Sequence, residues 1–83
     1  MNLKITKIEC SEEEPKVTVY TKDGSVSSIY RFGLDFISYP KGNHTTQFLR
    51  EIGNIVNYSN YFRDRKLKDA KRIEKDLNLL FIC

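Results

Sequence analysis

Apolar and polar residues alternate along Leu3-Lys4-Ile5-Thr6-Lys7-Ile8 and again along Lys16-Val17-Thr18-Val19-Tyr20-Thr21. A period of two is the pattern of a half-buried strand, and Val17, Val19 and Thr21 share one face of the second run. Between the runs, Ser11-Glu12-Glu13-Glu14-Pro15 breaks the alternation: the glutamates repel one another and Pro15 cannot continue a ladder. The two runs therefore predict an antiparallel hairpin over 3–21. A two-stranded hairpin is not stable alone, so its apolar face needs a cover.

Lys22-Asp23-Gly24 reads as a turn, because Gly24 takes a positive φ at little cost. The stretch after it fits two periods. Val26, Ser28, Tyr30 and Phe32 alternate as a third strand would, whereas Val26, Ile29, Tyr30, Gly33, Phe36 and Ile37 follow helical spacing behind a Ser25 cap. The helix, over about 26–38, is the preferred reading. The apolar run through Ile37 is long for a meander strand that contains Gly33, and Pro40 then ends the element.

Further on, Phe48, Leu49, Ile52, Ile55, Val56 and Phe62 recur at steps of three and four and predict a helix over 45–63, capped by Thr45 or Thr46. Gly53 weakens that helix by about 1 kcal/mol relative to alanine, which points to a close packing contact. Leu67, Ala70, Ile73, Leu77 and Leu80 predict another helix over about 66–79, followed by the apolar end Leu79-Leu80-Phe81-Ile82-Cys83. The expected architecture is one small α+β domain over 1–83, mainly helical. Its two-stranded hairpin precedes about three helices, packed around Phe36, Phe48, Ile52, Val56, Phe62 and Ile73.

Composition narrows the function more than it names it. The 83 residues form one small domain, 40% hydrophobic and 30% charged, without an apolar run long enough for a membrane span. The N-terminus lacks the apolar stretch of a secretion signal. Two cysteines and one histidine do not make a zinc site of usual spacing, and Cys10 reads as a structural residue. The glycines form no phosphate-cradling loop, Glu12, Glu13 and Glu14 read as a solvated loop, and His44 reads as a loop residue without a nucleophile motif. These readings favour a cytoplasmic, non-catalytic domain without metal or cofactor.

Charge is the remaining signal. Residues 1–40 carry five basic and six acidic side chains, whereas residues 41–83 carry nine basic and five acidic, within an overall net of +3. Lys68, Lys71, Arg72 and Lys75 fall on one face of the last predicted helix and repel as i, i+4 pairs, although Asp64 and Asp69 stand near enough to pair with Lys68 and Arg72. An external polyanion would relieve that repulsion. On the preceding helix, Gln47, Arg50, Asn54, Asn57, Tyr58 and Tyr61 form a polar face with groups that reach bases and phosphates. The expected contact set for double-stranded DNA is Arg50, Asn54, Asn57, Lys68, Lys71, Arg72 and Lys75. The other expectation is a protein partner, docked through the apolar C-terminal end.

The stretch Val17-Thr18-Val19-Tyr20-Thr21-Lys22-Asp23-Gly24, then Tyr30-Arg31-Phe32-Gly33-Leu34-Asp35-Phe36-Ile37, Thr45-Thr46-Gln47-Phe48-Leu49-Arg50-Glu51-Ile52 and Tyr58-Ser59-Asn60-Tyr61-Phe62 resembles the N-terminal core-binding (SAM-like) domain of tyrosine recombinases, the phage-type integrases. The resemblance covers residues 17–63, with Thr45 or Thr46 as the helix cap and Tyr58, Tyr61 and Phe62 as an aromatic end. It implies a helical, non-catalytic domain that clamps DNA during integration and recombination, with the family's catalytic residues in a later domain. The alternative class is a small phage- or toxin–antitoxin-type regulator that binds a host protein.

Overall fold

The structure is a computed structural model that describes residues 4–32, 35–57, 61 and 67–82. Four strands, β1 (Ile5–Cys10), β2 (Lys16–Thr21), β3 (Val26–Phe32) and β4 (Asp35–Tyr39), form an antiparallel sheet in the order β1-β2-β3-β4. Two helices follow, α1 (Thr46–Asn57) and α2 (Ala70–Ile82), the second entered through a 3-10 turn at Leu67–Asp69. Helix α1 packs on β3 and β4, and α2 packs on β1.

The expected hairpin is present and sits where the alternation put it. Val17 pairs with Cys10 and Val19 with Ile8, and all four are buried. A bulge between Ile5 and Lys7 resets the phase of β1, so Thr6 and Lys7 both face solvent before Ile8 turns inward. Leu3 lies outside the described residues.

The mainly helical architecture is not what forms. Residues 26–38, expected as a helix, are mostly the strands β3 and β4, so among the described residues two α-helices follow the sheet rather than a helix at 26–38 and two more. The pairing explains the outcome. Residues 26–30 give β2's second edge a partner, with Val17 opposite Ile29 and Val19 opposite Ser27, and β4 then pairs with β3. A helix at 26–38 would leave the β2 edge unpaired over the core. Residues 22–25 connect β2 to β3, and in this turn the Gly24 amide bonds the Thr21 carbonyl at 3.1 Å and the Thr21 amide bonds the Ser25 carbonyl at 3.1 Å. That turn contains a left-handed residue, and Gly24 supplies it at φ 89°.

The helix expected over 45–63 is shorter, ending at Asn57. Thr45 is its cap: its Oγ1 accepts the Phe48 amide at 3.1 Å, and its carbonyl accepts the Leu49 amide. Leu49, Ile52, Gly53 and Val56 face the sheet. A Cβ at Gly53 would lie 3.4 Å from the Phe36 ring and 3.6 Å from Ile29 Cγ2, which is the close contact its position suggested. Of the expected core, Ile52, Val56 and Ile73 are buried, Phe36 and Phe48 pack against them half-buried, and Phe62 lies outside the described residues. The apolar end is not a tail. It is the last turn of α2, which runs three residues past its expected limit.

All of this covers one face of the sheet. Val19 is at the middle of that face and fully buried. Val19→Asp is expected to cost about 3–5 kcal/mol by leaving a buried charge uncompensated. At about 4–8 °C per kcal/mol for a domain of this size, the thermal midpoint should fall by well over 10 °C. Circular dichroism melts of the two proteins check this.

Candidate functional site

Helix α2 joins the sheet through polar groups as well as apolar ones. β1 is an edge strand, so every second backbone group on its outer side lacks a strand partner. The Asn78 side chain fills that role at Ile8: Oδ1 accepts the Ile8 amide at 2.7 Å and Nδ2 donates to the Ile8 carbonyl at 2.9 Å. One helical turn earlier, Glu74 Oε1 accepts the Cys10 amide at 2.9 Å. The helix thus supplies side chains where a fifth strand would supply backbone.

This clamp sets which way the α2 cations point. With Ala70, Ile73 and Leu77 buried and Glu74 and Asn78 turned to the β1 edge, Lys71, Arg72 and Lys75 are left on the solvent side, and Lys68 is exposed in the preceding turn. Asp69 does pair with Arg72, at 3.5 Å, and Glu74 also reaches Lys71, at 3.9 Å. Both are i, i+3 pairs whose cation lies in solvent, and such pairs contribute little. Among the described residues Lys68 and Lys75 have no ion-pair partner. Asp64, expected beside Lys68, lies outside the described residues.

On α1, Arg50 and Asn54 are exposed on the side away from the sheet, in the same layer as α2. Glu51 is exposed as well, four residues after Gln47 and three before Asn54, so the polar face expected of α1 also carries an acid. Asn57 ends α1, with its side chain outside the described residues, as is Tyr58. Tyr61 is not on this face at all. It is fully buried, and its hydroxyl sits among the carbonyls of Ser11 (2.6 Å), Glu14 (2.9 Å) and Lys16 (3.0 Å), pinning the β1–β2 connection to the helical layer. Burial pushes its phenol up to about 12.

Comparison with family models, curated proteins and solved structures finds no match to this chain. The functional reading therefore rests on the geometry alone. Among the described residues no helix is long and apolar enough to cross a membrane, and no group of three or more His, Cys, Asp or Glu side chains is placed to hold a metal ion.

His44, expected in an open polar loop, is buried at 5% exposure. Its partners fix its tautomer. Thr21 Oγ1 donates to Asp23 Oδ1 and so accepts from His44 Nε2 at 2.8 Å, which leaves Nδ1 to accept from Ser27 Oγ. Ser27 Oγ in turn accepts the Lys41 amide at 3.0 Å. The chain of bonds resembles a nucleophile relay in its residue types. However, Ser27 is 2% exposed and has no path to a substrate, so the imidazole serves to hold the loop. Asp23 completes the hold by accepting from Ser25 Oγ at 2.9 Å and Asn43 Nδ2 at 2.8 Å. Gly42 is required at this point. Its φ is 95°, and a Cβ there would clash with the Ser25 side chain. Cys10 is buried beneath α2, and its thiol is pushed up to about 12, mainly by burial with Glu74 beside it, which makes it a poor nucleophile.

Burial holds the His44 imidazole below its usual pKa of 6.5, against the opposing pull of Asp23. The unfolded chain therefore takes up this proton first as pH falls. Stability from this group is complete above about pH 6.5 and declines as pH drops toward the lowered folded value. The thermal midpoint is expected to fall between pH 7.5 and 5.5. His44→Gln should be less stable at pH 7.5 but show a flatter dependence over that interval, as measured by melts in matched buffers.

Proposed function

We propose that the chain is a non-catalytic DNA-binding module that acts in the cytoplasm, with double-stranded DNA held through its phosphates by Lys68, Lys71, Arg72 and Lys75. The observation that carries this reading is the exposure of four cations along one turn and helix, of which Lys68 and Lys75 have no ion-pair partner among the described residues, while Asp69 meets Arg72 and Glu74 is shared between Lys71 and the β1 edge. Phosphate contacts of this kind supply affinity without sequence information. Arg50 and Asn54, exposed on the other helix of the same layer, are the groups suited to base edges. The net charge of +3 is compatible with a polyanion and is small enough that binding should be modest and strongly salt-dependent. The resemblance to recombinase core-binding domains adds no weight of its own, because strands occupy the residues where it implies a helix.

A second reading has its own observation. Leu79 and Leu80, at 56% and 65% exposure, and Ile82 project from the end of α2, an apolar surface suited to a protein partner. A protein complex through that end would depend little on salt, whereas DNA binding through the cations depends on it steeply.

A titration of short duplex DNA over a range of salt concentrations tests the proposal. Lys68→Ala, Lys71→Ala and Arg72→Ala together should weaken binding to any duplex. They should also flatten the slope of log affinity against log salt by roughly 2–3 units, at about 0.9 per lost phosphate contact. Asn54→Ala should alter preference among sequences instead. Absence of duplex binding by the unmodified chain at low salt would remove this function and favour the protein partner.

A further inference from the structure

The two helices cover one face of the sheet, and among the described residues nothing covers the other. We infer that this open face is a stacking surface for single-stranded nucleic acid. The inference shares with the proposed function only the class of ligand, since it uses a different surface of the molecule.

Three tyrosines stand on the open face, one on each of β2, β3 and β4. Tyr30 and Tyr39 meet edge to face with ring centroids 5.4 Å apart. Together with Ser28 they line a shallow hollow of about 230 Å³. Such a recess suits a planar base, stacked on a ring and hydrogen-bonded at its edge. Tyr20 lies at the other end of the face. It pairs with Val26, four residues from Tyr30, a separation of about 13 Å along the strand.

Cations accompany the rings. Lys7 Nζ lies 5.6 Å from the Tyr20 ring centroid and Lys16 Nζ 5.9 Å from that of Tyr30. A strand whose bases rest on the rings would carry its phosphates past these two ammonium groups. Both ammonium groups have carboxylate partners, Lys7 with Glu9 at 3.7 Å and Lys16 with Glu14 at 3.8 Å, and Glu9 also stands by the Tyr20 hydroxyl and holds its phenol above the usual range. Between the tyrosines lie Thr18 and Ser28, which pair across β2 and β3, while Val26 stands opposite Tyr20 and Ile37 opposite Tyr30. The face is therefore a set of separate aromatic sites with charge beside them, not the continuous apolar patch of a protein-docking surface. Unpaired bases are needed to use it, because a duplex hides its base faces.

Fluorescence anisotropy with a labelled single strand of about 12 nucleotides, within the length that one such surface covers, tests the inference on the full chain. Tyr30→Ala and Tyr39→Ala should each weaken binding about tenfold or more. Tyr30→Phe, which keeps the ring, should retain most of it. Glu9→Gln should tighten binding. The three side chains changed lie on the open face, so the thermal midpoints should stay close to that of the unmodified chain. Duplex affinity should respond to the α2 substitutions, and single-strand affinity to the tyrosines. Single-strand binding that is absent, or unchanged in both alanine variants, overturns the inference even if duplex binding survives. Single-strand binding without duplex binding overturns the α2 reading and leaves this one standing. Loss of both, with capture of a protein ligand on the open face, overturns both.

Discussion

The bond between Asn78 and the outer edge of β1 organises this molecule. An edge strand exposes a row of backbone donors and acceptors, and a small domain has little apolar surface to offset leaving them unmet. Asn78 offers one donor and one acceptor on a planar amide, the same pair that a neighbouring strand would present to Ile8. Glu74 supplies the acceptor half of that arrangement to the Cys10 amide. Because these contacts are directional, they set the rotation of α2 about its axis. That rotation places Ala70, Ile73 and Leu77 in the core and leaves Lys71, Arg72 and Lys75 in water.

Two further polar clamps tie the connections to the sheet. Tyr61 gathers the carbonyls of the β1–β2 connection, and the His44 network holds the loop that leads into α1. Each couples a segment distant in sequence to a strand end, and each uses a buried polar group whose bonding capacity is met inside the fold. With both helices committed to one face, the other face is left to a different role. The two exposed surfaces are therefore chemically distinct: cations on the helical layer, and tyrosines with a few charges on the sheet.

How much of this could be read from the residues depended on whether burial followed polarity. It did in β1 and β2, where Val17 and Val19 are inward, and in α1, where the threonine cap and the stripe at three- and four-residue steps match the helix. It did not in β3. There Ser27 is buried because His44 needs its hydroxyl, while Val26 and Tyr30 lie on the opposite, open face. The inward positions mix Ser27 with Ile29 and the outward ones mix Val26 and Tyr30 with Ser28, so the alternation is blurred and helical spacing competes with it. Tyr61 was hidden for a related reason, since its partners are backbone carbonyls that no sequence pattern marks. Asn78 and Glu74 lie among the charged and polar residues of α2 and differ from them only in facing an edge strand.

The directness of the Asn78 contact allows one decisive measurement, amide hydrogen exchange read residue by residue at Ile8. The Ile8 amide should exchange far more slowly than an open edge amide, and Asn78→Ala should release it selectively while Val17 and Val19 stay protected. An Ile8 amide that exchanges in the unmodified chain as fast as an unpaired edge amide, or one indifferent to Asn78→Ala, would contradict the edge clamp and with it the orientation of α2.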